Sequence, residues 1–266
     1  MCNLVKRIYK SNKNVNKIVC RMHELKLFLA TSKTSYLLSA RKIESSGFDV
    51  EKVSADQSTR QSKTIINVEL YYEALCPYSK EFVKMQIIPT YRDLKDHISI
   101  SFIPYGLATH RRAIDGSWKF DSQHGQRESD GNMAQACGIH EIETSVEPEK
   151  QQQQLVDFVG CVMSDDDPPS AANDCAQKIG LTEESKNRIK ECQKTPIGCD
   201  LLASYGDKTR ALKPKLLHVP TVVINGVYSK ENNHASLICF HKFICDIIPV
   251  EDTPAICKLS WSTYRG

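Results

Sequence analysis

An α/β fold in the order βαβ, a helical insertion, then ββα is what this chain predicts, and three stretches predict it. Ile66, Val68, Leu70 and Tyr72 alternate with Asn67, Glu69 and Tyr71, the period-2 pattern of a half-buried strand. Ile98, Ile100 and Phe102 repeat that pattern about thirty residues on, with Phe82, Met85 and Ile88 at helical spacing between them. After a long helical tract, apolar β text returns at Val219–Tyr228. Two strands joined by a helix at that spacing pair in parallel.

Each element follows from local chemistry. The first helix is expected from about Ser79 to Lys95, with Pro89 kinking it or ending its first part. The second strand run ends at Pro104-Tyr105-Gly106, and a long polar connection follows to about Arg127. Helical text then runs from Asn132 to Ala203, an insert of about 130–205, broken at Pro148, at Asp165–Pro169 and at Pro196-Ile197-Gly198. Leu155, Phe158, Val159 and Val162 form one apolar face within it, and the four glutamines at 151–154 read as a solvated one. The acidic triplet at 165–167 reads as a loop with a helix N-cap rather than a calcium site. Asn225-Gly226 between apolar residues signals a type I′ hairpin, and a last helix is expected from about Asn233 to Ile248. The whole is a thioredoxin-like core (βαβ…ββα) carrying an α-helical insertion. In that fold Pro220, at the head of a late strand, is expected to be cis and to shape a substrate groove with Val219, Pro77 and Tyr78.

Cys76-Pro77-Tyr78-Ser79 closes the first strand and opens the first helix. A cysteine there meets unpaired backbone N–H groups and the positive end of the helix dipole, which favours the thiolate. Pro77 suits the first helical turn, where its missing N–H is no loss. Cys76 therefore reads as a nucleophile, and Ser79 stands where such sites carry a second cysteine.

Residues 1–60 hold 12 Lys and Arg against 5 Asp and Glu, whereas the remainder holds 23 against 27. A basic segment, expected to be disordered or processed, thus precedes a mildly acidic domain at 61–266. Its apolar runs are too short for a membrane span or a clear signal peptide, and the Leu27–Ala40 stretch after Met22 makes a poor signal. A transit peptide is the alternative. Nothing in the body matches the basic head, so no nucleic-acid partner is expected. Nine of the 11 cysteines lie in the domain. With Cys76 free, eight remain that could pair fully, which points to an oxidising compartment. Cys161–Cys175 and Cys245–Cys257 would close short loops, each adding roughly 3 kcal/mol, although eight cysteines leave the connectivity open. No C-x2-C pair suggests zinc, and no metal or cofactor is expected.

Residues 122–137 carry a second constellation: Gln123, His124, Gly125, Glu128, Asn132 and Cys137. It resembles the signature C-Q-H-G-x2-E-C-x2-N-x4-C of the gamma-interferon-inducible lysosomal thiol reductase family, with Ser122 and Ser129 replacing two of the three cysteines. The similarity extends over about residues 64–258. It implies a thiol-disulfide oxidoreductase acting on disulfide-bonded proteins in a lysosomal or extracellular setting. Cys76 matches the family's nucleophile, and Ser79 the position of its resolving cysteine. His124 and Glu128 match positions whose role reads as structural as readily as catalytic. If the two missing cysteines pair with each other in relatives, losing both leaves no orphan thiol, and Cys137 keeps its own partner. With Ser79 in place, a small external thiol (cysteine or glutathione) is required to resolve the mixed disulfide. The alternative is a catalytically impaired relative acting as a protein-binding module. A monomer is expected in either case. A glutaredoxin-like protein also opens its site with Cys-Pro-Tyr, but the insert, the cysteine count and the Gln-His-Gly tract argue against it.

Overall fold

The computed structural model describes residues 63–261, so the basic segment at 1–60 lies outside the described residues. Strand β1 (Ile66–Tyr72) leads into α1 (Pro77–Phe82), a π-helical turn (Val83–Ile87) and α2 (Ile88–Leu94), then β2 (Ile98–Pro104). The α-helical first part gives way to the π-helical turn just ahead of Pro89, which stands in the first turn of α2. The Ile88 N–H reaches back to the Val83 carbonyl, and this wider turn precedes the residue whose ring would clash with an α-helical carbonyl. β1 and β2 pair in parallel, Ile66 opposite Ile98 and Leu70 opposite Phe102. β5 (Thr221–Ile224) joins the free side of β1 antiparallel, giving the order β2-β1-β5 of a thioredoxin-like core.

The hairpin expected at Asn225-Gly226 is only a turn. Both residues have positive φ, yet the returning strand shrinks to one bridge between Ile224 and Val227. Two residues later Ser229 accepts the Asn232 N–H and caps α8 (Lys230–Ile238), so the chain is committed to helix before a strand can form. The single terminal helix expected from 233 to 248 is two. Cys239 is extended (φ −151°) between α8 and α9 (Phe240–Ile247), and the Phe240 N–H at the break is taken by Gln86 Oε1 at 2.9 Å.

A hairpin occurs instead in the stretch read as a polar connection: β3 (Thr109–Arg112) against β4 (Trp118–Asp121). Both strands are largely exposed, so no apolar alternation marks them. The hairpin is held by aromatic and charged contacts, with Arg112 over the Trp118 ring and the Trp118 indole donating to Asp200 Oδ1 at 2.6 Å.

The insert spans α3 (Gln126–Ser145), α4 (Pro148–Ser164), α5 (Pro168–Lys178), α6 (Glu183–Lys194) and α7 (Pro196–Ala211). Three of the five open on the prolines that break the pattern. It begins earlier than expected because the first turn of α3 is polar in sequence although Glu128 and Ser129 are buried. The glutamine run is not a solvated face either. Gln152 spans the outer edge of β2, its Oε1 accepting the Ile100 N–H at 2.9 Å and its Nε2 donating to the Ile100 carbonyl at 3.1 Å. That arrangement satisfies an edge strand that would otherwise present free backbone groups. Asp167 is the N-cap residue of α5, and its N–H is held by Asp165 Oδ1.

Ile66, Val68, Leu70 and Tyr72 pack into one continuous core with Phe82, Ile87, Phe158, Val159, Val162 and Phe240. Tyr71, Ile103 and Val223 point to the other face of the sheet, beneath Tyr205 of α7. Disulfides tie α3 to α6 (Cys137–Cys192), α4 to α5 (Cys161–Cys175) and α9 to α10 (Ala255–Trp261; Cys245–Cys257). Among the described residues these three bridges join six of the eight cysteines that could pair, and Cys199 and Cys239 are not members of them. Their sulfurs belong to α7 and to the α8–α9 break, placements no spacing in the chain reveals. No helix among the described residues is long and apolar enough to cross a membrane.

Candidate active site

β1 delivers Cys76 through a tight turn in which the Cys76 N–H donates to the Glu73 carbonyl at 3.3 Å. Cys76 is the N-cap residue of α1, Pro77 follows at its first position, and Ser79 is fully buried one turn on. Pro77 is exposed and Tyr78 half-buried at the rim. Opposite, the Val219–Pro220 bond is cis, and the Cys76 Sγ lies 3.9 Å from the Val219 carbonyl oxygen. Cys76, Ser79, Val219 and Pro220 are thus brought together at one point of the fold.

The electrostatics differ from expectation. Cys76 is only 2% exposed, and burial pushes its thiol pKa up rather than down. Hydrogen bonds from the Ser79 hydroxyl and from the Ser79 and Tyr78 amides act in the favourable direction, and the Glu73 charge acts against them. The helix N-terminus supplies the stabilisation the sequence implies, but desolvation of the sulfur outweighs it. His218, which no pattern in the chain singled out, stands beside Val219. Burial holds its imidazole below the usual histidine range, and its Nδ1 lies 3.3 Å from Thr221 Oγ1.

The second constellation underpins this turn. Asn132 Oδ1 accepts the Ala74 N–H at 2.8 Å, two residues ahead of Cys76. A Cβ at Gly131 would stand 2.8 Å from Ala74 Cβ, so the helix approaches the turn too closely for a side chain there. Tyr72 OH donates to Gln135 Oε1 at 2.7 Å in the same buried seam. Gly125 precedes α3 with φ +72°, a conformation that favours glycine. Gln123 is exposed in the same turn. Glu128 is buried, and both of its oxygens engage His124, the N–H at 3.0 Å and Nδ1 at 2.6 Å. Ser122 and Ser129 meet at 2.8 Å between their hydroxyl oxygens, as two side chains standing in for a bonded pair would. Cys137 has its own partner in Cys192, as the resemblance implied.

Glu73 completes the group. Its Oε1 accepts the Leu107 N–H at 2.7 Å, and it adjoins Glu128 and His124, one ligand-type atom of each lying within 4.8 Å of the others. This trio has donors of the kind that hold a metal ion. The 2.6 Å contact between His124 Nδ1 and Glu128 Oε1, however, is a hydrogen bond between two of those donors. Ligand atoms around one ion at metal–ligand distances of about 2.0–2.2 Å stand roughly 3 Å or more apart. The arrangement fits a hydrogen-bonded pair better than a metal site.

Comparison with known proteins accords with this geometry. The family model for gamma interferon inducible lysosomal thiol reductase matches residues 67–179. A gamma-interferon-inducible lysosomal thiol reductase-like protein from Anopheles gambiae is 31% identical over 191 residues, covering 70% of this chain and 77% of that protein. Gamma-interferon-inducible lysosomal thiol reductases of Carassius auratus and Mus musculus are 28% and 29% identical, covering 76% and 73% of this chain and 76% and 72% of theirs. Among solved structures, Chlamydia trachomatis DsbA aligns with a TM-score of 0.43 at 12% identity, over 71% of this chain and 93% of that one. The matched span runs from the strand that delivers Cys76 through the Ser122–Cys137 constellation, and the chain belongs to the gamma-interferon-inducible lysosomal thiol reductase family.

Proposed function

We propose that this protein is a thiol-disulfide oxidoreductase that reduces protein disulfides through one cysteine and relies on an external thiol to finish the reaction. The observation that carries the reading is Cys76 at a helix N-terminus against Val219-Pro220, with a buried serine hydroxyl rather than a second sulfur hydrogen-bonded to it.

The Cys76 thiolate attacks a substrate disulfide R–S–S–R′, forms Cys76–S–S–R and releases R′–S⁻, which takes up a proton. Ser79 forms no S–S bond, so the intermediate waits for a small thiol. Cysteine or glutathione then attacks the Cys76 sulfur and releases R–SH, and a second molecule frees Cys76. The sum is one substrate disulfide reduced and one small-molecule disulfide formed. Pro77, Tyr78, Val219 and Pro220 border the cysteine and make up the surface an extended substrate segment would meet. The three disulfides support an oxidising location, lysosomal or extracellular.

One observation favours a second reading. The near-complete burial of Cys76 and its raised pKa suit a module that holds a partner in this groove without turnover. Turnover of a disulfide substrate by wild type and Cys76→Ala, with and without added cysteine, separates the two. Turnover that needs both Cys76 and the added thiol supports the monothiol reductase. No turnover, with no mixed disulfide detected by mass spectrometry, leaves the binding module.

A further inference from the structure

Glu73 stands at the end of β1, and nothing in the reaction above uses it. Its side chain is fully buried. Oε1 takes the Leu107 N–H, while Oε2 has no hydrogen-bond partner among the described residues. Gly106 makes the room: a Cβ there would sit 2.2 Å from Glu73 Cγ. From α3, Glu128 faces it, fully buried and doubly hydrogen-bonded by His124. From α1, Ser79 Oγ lies 3.5 Å from the Glu73 N–H, and that hydroxyl is hydrogen-bonded to the Cys76 thiol. Glu128, His124 and Cys76 are therefore the titratable groups that surround Glu73 from the elements packed on it.

A buried carboxyl group with few donors is held in its neutral form by desolvation and by a second carboxyl group packed against it. Glu73 has one amide donor and a bare oxygen, whereas both oxygens of Glu128 have a hydrogen-bond partner in His124. We propose that Glu73 is a positioning residue that governs Cys76 through its own proton: neutral on the acid side, it leaves the Cys76 thiolate unopposed, and ionised on the alkaline side it suppresses that thiolate. Glu128 is the group that keeps Glu73 neutral. The proposal rests on the reading of Cys76 as the attacking group. It agrees with the direction of the electrostatics, since burial and then the Glu128 charge push the Glu73 carboxyl up to about 8, against the Leu107 amide.

The test is the rate of Cys76 alkylation by iodoacetamide in the full chain, located by peptide mass, from about pH 5 to pH 10. The ratio of Glu73→Gln to wild type is expected to stay near one at about pH 5.5 and to rise to about 3- to 10-fold above pH 8. In Glu128→Gln the charge holding the proton on Glu73 is gone, so suppression of Cys76 should begin at lower pH than in wild type. A flat ratio for Glu73→Gln together with an unshifted profile for Glu128→Gln overturns the proposal. Should Glu73→Gln fail to fold by circular dichroism, the Glu128→Gln profile decides alone. Should Cys76 resist alkylation throughout, the thiolate absorbance difference between wild type and Cys76→Ser gives the same titration. Coupling seen there would uphold control by Glu73 while the reductase reading fails; its absence would overturn the proposal too.

Discussion

The hydroxyls of Ser122 and Ser129, buried and 2.8 Å apart, mark where two signature cysteines are missing, and restoring both should restore a bond. The double variant Ser122→Cys/Ser129→Cys would join the residue after β4 to the first turn of α3 and close a loop of roughly eight residues. In the chain-entropy account, −2.1 − 1.5R ln n for n of about 8 gives roughly 8 cal/mol/K, or about 2.5 kcal/mol at room temperature. For a domain of about 200 residues that corresponds to a rise in Tm of about 5–10 °C. The assay compares thiol counts of the denatured proteins and melting of the oxidised double variant against oxidised wild type. Two additional cysteines with no additional titratable thiol, and the higher Tm, are expected. Either single variant should show one extra thiol and no gain. If the paired cysteines remain reduced under oxidising conditions, or the bond forms without raising Tm, the view that these serines replace a bridge is refuted.

The raised Glu73 carboxyl has a consequence for stability. Below the unfolded value of 4.5 both states hold its proton; above it the unfolded chain ionises first, so stability falls as pH rises toward about 8, by up to about 5 kcal/mol in total. Urea unfolding at about pH 5 and pH 7.5 should show wild type losing stability between them and Glu73→Gln losing distinctly less; equal losses would contradict the buried neutral acid. At the sheet edge, Gln152→Ala removes both hydrogen bonds to Ile100 and should cost about 1–2 kcal/mol, read as a lower urea midpoint with unchanged slope. An unchanged midpoint would mean that solvent satisfies that edge equally well.

What could be seen in the chain is what local chemistry dictates. Alternation at Ile66–Tyr72 and Ile98–Phe102 located both parallel strands, because a two-residue apolar period is meaningful only on a pleated surface. Prolines 148, 168 and 196 marked breaks in the helical text for a reason internal to each peptide unit, and each opens the helix that follows. The failures share a different cause. The β3–β4 hairpin carries its apolar contacts on His110, Trp118 and Phe120 with charged neighbours, and its stability comes from elements far away in the chain. Gln152 looked solvated because only the proximity of β2 turns a polar side chain into a strand cap. The pattern could not show that Asn225-Gly226 would turn without a returning strand, since Ser229 claims the next residues for α8.

The same division holds at the site. Cys76, Pro77, Ser79 and Pro220, and the spaced residues from Gln123 to Cys137, were readable because each is tied to a junction or a motif whose chemistry is local. Burial is not local. The depth of Cys76, which reverses the expected direction of its pKa, arises from segments 143 residues apart in the chain closing over the sulfur. Glu73 gave no signal at all, since a glutamate at a strand end is ordinary until Gly106, Glu128 and His124 are folded around it. Residue types and spacing pointed to Cys76 and to the scaffold that presents it; desolvation by distant segments set the electrostatics around it.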